Sequence, residues 1–326
     1  MHDRIENRRP NRWTAADIPD QTGRRAIITG ANSGIGFPAA IELARHGAKV
    51  VVAARDREKG IAAVERINHL VGAPRAEWTM LDLASLASVR DFAERELARN
   101  APLDLLINNA GVMAPPKRLE TKDGFELQFG TNVLGHFALT GLLLPALRRA
   151  ACSSPEPPRV VMIASIAHRR GKLNFSDLQH RSGYSPMQAY GQSKLADLML
   201  SFELDRRLRA GDNTTSRILS VAAHPGVANT NLFQVGDFNA VEKAIRGWAR
   251  HAIGVLLNSA AEGALPTLFA ATAPEAQGGG YYGPQGFLEM RGGDVGPAKV
   301  ADQARDRQAA ARLWQICKDL TGIPMP

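Results

Sequence analysis

The sequence is poor in cysteine, and this absence narrows the kinds of protein it can be. Only two of its 326 residues are cysteine. Cys152 and Cys317 lie far apart in the chain, so they offer neither metal-ligand spacing nor a disulfide framework. We therefore expect a protein that holds no metal ion and is suited to a reducing cytoplasm.

Long hydrophobic runs are also missing. A membrane-spanning helix needs about 18 or more apolar residues, and no run in the sequence reaches that length. The most apolar helical stretches, 138–147 and 252–257, are short or interrupted. The first residues are polar and charged, which argues against a signal peptide. These features favour a cytoplasmic protein over a secreted or membrane-spanning one.

Positive charge is in excess, with 40 Lys and Arg against 32 Asp and Glu, for a net charge of +8. Such an excess is found in proteins that bind nucleic acid or anionic lipid. Here the basic residues are scattered, apart from a cluster at Arg4, Arg8, Arg9 and Arg12. We therefore expect a solvated basic surface and a basic N-terminal arm rather than a nucleic-acid site. A basic cleft would also suit a phosphate-rich ligand.

Apolar segments of strand length alternate with segments of helical periodicity along the chain. This order predicts an α/β fold, a doubly wound (Rossmann) parallel sheet of about seven strands with helices on both faces. No linker interrupts it, so we expect one domain over residues 23–326 and an arm over residues 1–22 anchored by Trp13. The predicted strands are 24–29, 49–54, 76–81, 103–108, 159–165, 217–223 and 281–282, and the predicted helices are 35–46, 57–70, 86–98, 124–150, 189–209, 239–271 and 298–320.

A glycine-rich turn joins the first predicted strand to the first predicted helix. Residues 29–36 read Thr-Gly-Ala-Asn-Ser-Gly-Ile-Gly. Glycines at such a junction let the backbone turn tightly and approach a pyrophosphate at the helix N-terminus. The spacing is G-x-x-x-G-x-G, not the G-x-G-x-x-G of the standard fingerprint. We predict a dinucleotide site, with a turn that binds no ligand as the alternative. Because Pro38 is tolerable only in a first turn, the helix should begin close to Gly34.

The end of the second predicted strand bears on the choice between NAD and NADP. An acidic residue there binds the adenosine ribose of NAD. Here the strand ends at Ala54 and Arg55 follows, and a guanidinium suits a 2′-phosphate by charge and by bidentate geometry. Asp56 could instead be a ribose ligand, although it suits the N-cap of the next helix better. The sequence therefore favours NADP(H) over NAD(H).

Polar and small residues also follow the third and fourth predicted strands. Asp82 could accept a hydrogen bond from an adenine amino group, or it could cap the next helix. The segment 108–111, Asn-Asn-Ala-Gly, allows a cofactor to cross the strand end closely, and its amides could tie neighbouring strands together. Asn132 lies in an otherwise apolar helix, so it is either a satisfied core amide or part of a polar relay.

Ser165 ends the fifth predicted strand, at the edge of the sheet where doubly wound folds bind ligands. Its hydroxyl could donate to a carbonyl oxygen. No Gly-x-Ser-x-Gly elbow surrounds it, which disfavours a serine hydrolase. His168 and His224 could act as bases, but both lie beside loops and we expect structural roles for them.

Tyr190 and Lys194 are four residues apart in a predicted helix, so a phenol and an ammonium share one helical face. A free phenol titrates near pH ~10 and is a poor base at neutral pH. A nearby cation favours the phenolate. Bringing a phenol to neutrality requires a shift of roughly 3 pKa units, or about 4 kcal/mol. The pair therefore predicts a proton-transfer device.

Taken together, these motifs resemble the short-chain dehydrogenase/reductase family. The ordered set spans roughly residues 23–282 and comprises Thr-Gly-x-x-x-Gly-x-Gly at 29–36, Asp82, Asn-Asn-Ala-Gly at 108–111, Asn132, Ser165, Tyr190-x-x-x-Lys194 and Pro225-Gly226. The segments 131–137 and 165–168, with the 25-residue gap from Ser165 to Tyr190, are most similar to the retinol dehydrogenase-like and bacterial oxidoreductase members.

The resemblance implies a role for each matching residue. Tyr190 would be the general acid/base, and Lys194 would favour its phenolate and bind the nicotinamide ribose. Ser165 would hold the substrate oxygen, and Asn132 would support a proton-relay water. The cofactor-binding residues predicted from the motifs and the resemblance together are Gly30, Asn32, Ser33, Gly34, Ile35, Gly36, Arg55, Asp82, Leu83, Asn109, Ala110, Gly111, Tyr190, Lys194, Pro225, Val227 and Thr230.

Residues 229–257 lie where a substrate lid belongs, and they include apolar side chains such as Leu232, Phe233 and Trp248. An apolar lid suits a hydrophobic ketone, aldehyde or alcohol, although ordinary packing against the core explains the same side chains. Basic residues such as Arg250 leave weak contact with a membrane surface as a further alternative.

We therefore predict an NADP(H)-dependent oxidoreductase that moves a hydride between nicotinamide and the carbonyl or alcohol carbon of a small apolar substrate. One alternative is a non-catalytic NADP-binding sensor or scaffold, which the Tyr/Lys pair disfavours. A second is an epimerase or dehydratase, which the glycine spacing and the modest C-terminal portion disfavour. The resemblance suggests a homodimer or homotetramer.

Overall fold

The computed structural model describes residues 12–227, 258–292 and 294–325. In this part of the chain eight strands form one sheet in the order β3-β2-β1-β4-β5-β6-β7-β8. All neighbours are parallel except β7 and β8, which pair antiparallel. The strands are β1 (Arg25–Thr29), β2 (Lys49–Ala54), β3 (Ala76–Met80), β4 (Leu105–Asn108), β5 (Arg159–Ile163), β6 (Leu219–Ala223), β7 (Tyr281–Pro284) and β8 (Val295–Pro297).

The central strands are buried on both faces, which explains their continuous apolar sequences. Every residue of β4 and β5 is buried, as are all but the first of β1 and β2. The order of connection reverses between β1 and β4, so the chain leaves these two neighbours in opposite directions. A crevice opens at the carboxyl ends of strands at such a switch point. The predicted doubly wound sheet is confirmed, and β8 is an antiparallel edge strand that the sequence analysis did not predict.

Helices cover both faces of the sheet. The core contacts place α1, α2 and α6 on one face and α3, α4 and α5 on the other, with α7 packed against α5. The two faces bury separate hydrophobic cores, one around Phe92, Phe129 and Trp314, the other around Ile28 and Leu43. The helices are α1 (Gly36–Arg45), α2 (Arg57–Val71), α3 (Leu86–Ala98), α4 (Gly135–Ser153), α5 (Pro186–Arg209), α6 (Ala260–Thr272) and α7 (Arg307–Thr321).

Side-chain caps fix where several helices begin. Asp56 caps α2 by accepting a hydrogen bond from the Lys59 backbone N–H at 3.0 Å, so the capping interpretation of Asp56 is confirmed. The capping alternative for Asp82 is wrong, because Ser85 occupies the N-cap of α3. Pro38 lies in the first turn of α1, as predicted.

Helix α4 begins later than the predicted 124–150. Residues Phe129–Leu134 form a π-helical turn that leads into α4. The combined segment Phe129–Ser153 is long and apolar enough to cross a membrane by length and composition alone, which was not expected from the sequence. Its most apolar window is 78% buried against the rest of the protein, which is how a core helix behaves.

Other boundaries differ for local reasons. Helix α5 begins three residues before the predicted start, because Pro186 occupies its first turn. Helix α7 begins at Arg307, where Asp306 caps it, and not at residue 298. Trp13 packs edge-to-face on Phe269 at 5.3 Å, which confirms it as an anchor for the described part of the arm. The predicted lid at 229–257 and the first part of the predicted helix 239–271 lie outside the described residues.

Candidate active site

One cleft of about 1780 Å³ lies at the carboxyl ends of the central strands. It brings together nearly all the residues predicted to be catalytic or cofactor-binding. Of these, Gly36 and Asn132 are not part of its lining, and Thr230 lies outside the described residues. The predicted residues that line it are Gly30, Asn32, Ser33, Gly34, Ile35, Arg55, Asp82, Leu83, Asn109, Ala110, Gly111, Ser165, Tyr190, Lys194, Pro225 and Val227.

The glycines of the turn between β1 and α1 are required by its geometry. Gly30 and Gly34 have φ values of 68° and 59°, in the left-handed region that side chains with a Cβ rarely adopt. At Gly36 a Cβ would lie 2.5 Å from Asn109 Nδ2 and 3.0 Å from the Ala31 Cα. The turn therefore presents open backbone to the cleft, as a phosphate cradle needs.

A buried hydrogen-bond network links β1 to the end of β4. The Asn109 side chain donates from Nδ2 to the Thr29 carbonyl oxygen at 2.7 Å. The Thr29 hydroxyl accepts from the backbone N–H groups of Asn109 and Ala110, both at 2.9 Å. The prediction that an amide links neighbouring strands here is confirmed, and Thr29 completes the link.

His136 also belongs to this hydrogen-bond network, although it was not predicted from the sequence. Its Nδ1 lies 2.8 Å from the Asn132 carbonyl oxygen and its Nε2 lies 2.9 Å from the Thr29 hydroxyl. Burial, assisted by the nearby Lys194 ammonium, lowers the pKa of His136 to about 3. The ring is therefore neutral. Since a carbonyl oxygen only accepts, Nδ1 carries the proton and Nε2 accepts from Thr29.

Asn132 is a satisfied core amide, one of the two interpretations left open by the sequence. Its Oδ1 accepts from the Val112 N–H at 2.8 Å, and its Nδ2 donates to the Val112 carbonyl and the Ser193 hydroxyl, both at 3.0 Å. The side chain is fully buried. A role in a proton relay stays a prediction.

Ser165 follows β5 and caps the short 3₁₀ turn Ile166–Arg170. Its Oγ accepts from the Ala167 N–H at 3.2 Å, which leaves the hydroxyl hydrogen available to donate. The side chain lines the cleft together with Tyr190, which is 6% exposed. A hydroxyl donor and a phenol therefore line the same cleft.

Lys194 is 4% exposed and lies one helical turn after Tyr190 on α5. Its Nζ donates to the Ile163 carbonyl at 2.8 Å and to Asp197 Oδ2 at 2.9 Å. Burial opposes the ammonium, but the charges of Asp197 and Tyr190 outweigh that cost and the pKa of Lys194 is raised. The lysine is a fixed cation beside Tyr190.

Arg55 follows β2, is exposed and lines the far end of the cleft. Its neighbour Asp56 is engaged both as the α2 cap and in an ion pair with Lys59 at 3.1 Å. The cation Arg55 therefore occupies the position where an NAD-binding protein carries an acidic residue.

Asp82 also lines the cleft. It accepts a hydrogen bond from the Ala84 N–H at 3.1 Å and pairs with Lys122 at 3.4 Å.

His168 and His224 are buried behind the site and do not line it. His168 Nδ1 lies 2.6 Å from the Ser165 carbonyl oxygen. The Gly226 N–H donates to His224 Nδ1 at 3.2 Å, and His224 Nε2 lies 3.3 Å from Glu289 Oε2. Burial lowers the pKa of both imidazoles. These contacts agree with the structural roles expected for them.

Side chains at the other end of the cleft were not predicted from the sequence. Met187, Leu288 and Met290 line it, and the first two are more than half exposed. Met187 lies three residues before Tyr190, so helical spacing could have revealed it. Leu288 and Met290 come from a loop about a hundred residues later, which no local pattern connects to Tyr190.

A family model described as short chain dehydrogenase matches residues 24–237. The chain belongs to the short-chain dehydrogenase/reductase family. Mouse polyprenol dehydrogenase is 44% identical over 308 residues, covering 94% of this chain and 86% of that protein. Human retinol dehydrogenase 13 is 38% identical over 324 residues, covering 95% of this chain and 87% of the relative.

Solved structures agree with this assignment of the short-chain dehydrogenase. The crystal structure of an uncharacterised protein from Mycobacterium paratuberculosis is 40% identical, with a TM-score of 0.77, and covers 97% of this chain and 100% of that chain. The NADP complex of Pseudomonas aeruginosa RhlG is 27% identical, with a TM-score of 0.62, and covers 80% of this chain and 94% of that chain. The resemblance drawn from the sequence to the retinol dehydrogenase-like branch is confirmed.

Proposed function

We propose that this short-chain dehydrogenase is an NADP(H)-dependent oxidoreductase that interconverts an alcohol and a carbonyl group on an apolar substrate. The observation that carries the proposal is the shared cleft. The glycine-rich turn, the exposed Arg55 and the polar set Ser165, Tyr190 and Lys194 all line it. A dinucleotide stretched between these two ends would bring its nicotinamide to the polar set.

The residues present fit the cofactor. The positive φ angles of Gly30 and Gly34 leave backbone open for a pyrophosphate. The hydrogen-bond network around Thr29 holds Asn109 and Ala110, which would flank a ribose. Lys194 retains one N–H beyond its two fixed partners for that ribose. When bound, the nicotinamide supplies or accepts the hydride.

The proton transfer falls to the chain itself. In the reducing direction Tyr190 gives its proton to the substrate oxygen, and in the oxidising direction it takes that proton back. The Lys194 ammonium favours the phenolate that results. The Ser165 hydroxyl donates to the substrate oxygen as negative charge develops, a contribution of about 3 kcal/mol in comparable sites.

Arg55 supports NADP(H) over NAD(H). Its guanidinium is exposed at the end of β2 and free of ion pairs among the described residues. It could therefore bind a 2′-phosphate without breaking an existing salt bridge. Asp56, which could have bound a ribose hydroxyl, also lines the cleft, but its Oδ1 is engaged in capping α2.

The substrate end supports an apolar alcohol or carbonyl compound. Met187, Leu288 and Met290 border the cleft, and thioether and aliphatic side chains adapt to flexible apolar chains. Relatives that match nearly the whole chain are named polyprenol and retinol dehydrogenases, whose names describe alcohols on isoprenoid chains. We propose a substrate of this class.

A sensor or scaffold that binds NADP without turnover is not favoured, since the Tyr190–Lys194 pair and Ser165 occupy the cleft together. Cytoplasmic location, membrane-surface contact and a dimeric or tetrameric state stay predictions.

The proposal is tested by a matched screen of NADPH and NADH, with their oxidised forms, against apolar aldehydes, ketones and alcohols that include isoprenoid alcohols and steroids. We expect cofactor turnover with the NADP pair and a long apolar substrate. Tight NADPH binding without turnover across the whole panel would favour the sensor instead. Conversion of substrate without net consumption of cofactor would favour an epimerase or dehydratase.

A further inference from the structure

Asp197 is a buried carboxylate with no part in the proton transfer described above. It lies three residues after Lys194 and seven after Tyr190, so the three side chains share one face of α5. The Asp197 side chain is 1% exposed, and its Oδ2 accepts from Lys194 Nζ at 2.9 Å. Its Oδ1 has no hydrogen-bond partner among the described residues. Burying a carboxylate with one unpartnered oxygen costs free energy, so the presence of Asp197 at this position needs an explanation.

Stability is a weak reason. The desolvation of a buried ion pair offsets much of its attraction, and well-packed apolar residues often replace such pairs at no cost. Burial raises the pKa of Asp197 to about 6 despite the attraction of Lys194, which shows how strongly the site opposes this charge. A carboxylate kept under those conditions next to an active-site cation points to a role in the site.

The geometry of Lys194 indicates that role. An ammonium has three N–H donors. One points to the Ile163 carbonyl at the end of β5 and a second to Asp197. These two bonds fix a flexible side chain and direct the third N–H to the cleft that Lys194 lines. Without Asp197 the ammonium would keep a single fixed partner.

The electrostatics agree with the geometry. A fully buried ammonium loses its proton more readily than a solvated one, and Asp197 is the largest of the opposing influences on Lys194. Other titratable groups act on the pair from three sides: Tyr190 from the same helix, His136 from α4 and Cys317 from α7. His136 is neutral, and burial, with the charge of Asp197, raises the pKa of the Cys317 thiol so that it is neutral too. At neutral pH the negative charge beside Lys194 is therefore that of Asp197.

We propose that Asp197 is a positioning residue that acts through Lys194: it holds the ammonium charged and directed at the cleft, and it sets the pH range over which Tyr190 and Lys194 transfer protons. This inference rests on the proton-transfer roles of those two residues in the proposed function.

The isosteric change Asp197→Asn removes the charge and keeps the shape. The ammonium, no longer opposed, should favour the Tyr190 phenolate more strongly and should also give up its own proton sooner. Both limbs of the pH profile of kcat/KM should therefore move to lower pH, by about one pH unit, the size of effect that one nearby charge produces. The profile is measured with NADP and an apolar alcohol from neutral to alkaline pH.

The matched control is Glu203→Gln. Glu203 is also a buried carboxylate on α5, paired with Arg206 and Arg207, and it lies nine residues, about two and a half helical turns, after Lys194. Removing the Glu203 charge should leave both limbs of the pH profile of kcat/KM at their wild-type pH. Asp197→Glu keeps the charge, so it should keep the wild-type limbs while lowering kcat through displaced geometry.

An Asp197→Asn profile that superimposes on the wild type overturns the proposal. Should that variant not fold, Asp197→Glu decides, because displaced limbs in a variant that keeps the charge contradict the role assigned here. Failure of the proposed function is distinguishable: the wild-type chain would then show no NADP(H)-linked turnover with any substrate, and both proposals would fall together.

Discussion

The cleft has two ends of different construction. Around β1, β2 and the glycine turn, the lining is mostly backbone and small side chains, with Arg55 at the rim. Around β5 and α5 the lining includes Tyr190 and Lys194, two polar side chains that are almost completely buried. The first end suits recognition of phosphate by open N–H groups, which depends on shape. The second suits proton transfer, which depends on charges kept out of water.

This contrast predicts different sensitivities. Under the proposed function, changes to Tyr190 or Ser165 at the second end should lower turnover with little effect on cofactor binding. Changes at the cofactor end should alter affinity or folding and leave the chemical step intact. Each of the following experiments separates the two ends or locates their boundary.

The largest effect should come from Tyr190→Phe. Losing the phenolic oxygen removes the proton donor, and turnover should fall by about 10³-fold, within the range for loss of general acid–base catalysis. Binding of NADPH, followed by fluorescence titration, should change little. Tyr184→Phe is the control, because Tyr184 bonds Pro115 and Gln128 outside the cleft lining and its loss should preserve turnover. Substantial turnover in Tyr190→Phe would remove that residue from the mechanism.

Arg55→Ala should come next. Removal of a charge-assisted bond to a 2′-phosphate costs about 1.5–3 kcal/mol, so the KM for NADP(H) should rise roughly 10- to 150-fold. The KM for NAD(H) and the kcat should stay close to wild type. Arg57→Ala removes an exposed arginine of α2 that does not line the cleft and should change neither constant. Equal losses for both cofactors would contradict the assignment of Arg55.

Gly36→Ala tests the backbone-built end. The added methyl would lie 2.5 Å from Asn109 Nδ2 and 3.0 Å from the Ala31 Cα, and both groups are held in place. We expect a loss of about 1–3 kcal/mol in the free energy of unfolding, measured by denaturant titration, together with weaker cofactor binding. Gly183→Ala is the control, since nothing lies within 4 Å of its added methyl. If Gly36→Ala has the wild-type free energy of unfolding and cofactor affinity, the turn can shift to accommodate the added methyl.

The smallest effect should be a pH dependence of stability from His136, which lies between the two ends. Its folded pKa is about 3, below the unfolded value of about 6.5, so between these values the unfolded chain binds the extra proton. The free energy of unfolding should therefore fall as the pH drops below 6.5, by about 1 kcal/mol over the first unit. His168 and His224 act in the same direction.

His136→Gln should reduce this slope, because an amide can keep both hydrogen bonds and does not titrate. The exposed His69 is the control, and His69→Gln should leave the slope unchanged. The measurement is denaturant unfolding at a series of pH values. If His136→Gln has the same slope as the wild type, protonation of His136 does not cause the loss of stability at low pH.

Contiguous motifs were predictable, whereas partners contributed by distant segments were not. Each of these motifs lies within a few neighbouring residues, so its chemistry could be predicted from the sequence. They are the glycine turn, Arg55 and the Tyr190–Lys194 spacing. Asp197 and Met187 lie on the same helix as Tyr190 and could have been found by helical spacing, as could His136, four residues after Asn132. The loop with Leu288 and Met290 could not, since its place in the cleft lining depends on how β7 is placed in the sheet.

Some alternatives needed contacts to decide them. Asp56 and Asp82 were each compatible with capping a helix, and only the structure shows that Asp56 caps α2 while Ser85 caps α3. Asn132 was compatible with a core amide or a relay, and its bonds to Val112 and Ser193 identify the amide as satisfied. The antiparallel β8 had too short an apolar segment to be distinguished from a loop.

Local chain chemistry was therefore sufficient for the α/β class, the glycine turn and the Tyr190–Lys194 pair, because periodicity and backbone freedom act over a few neighbouring residues. Folding alone established which charges are deprived of water and which groups share the cleft. Those properties depend on side chains from distant segments, such as Ile163 and Asp197 around one ammonium, and burial is a property of the packed chain rather than of any residue in it.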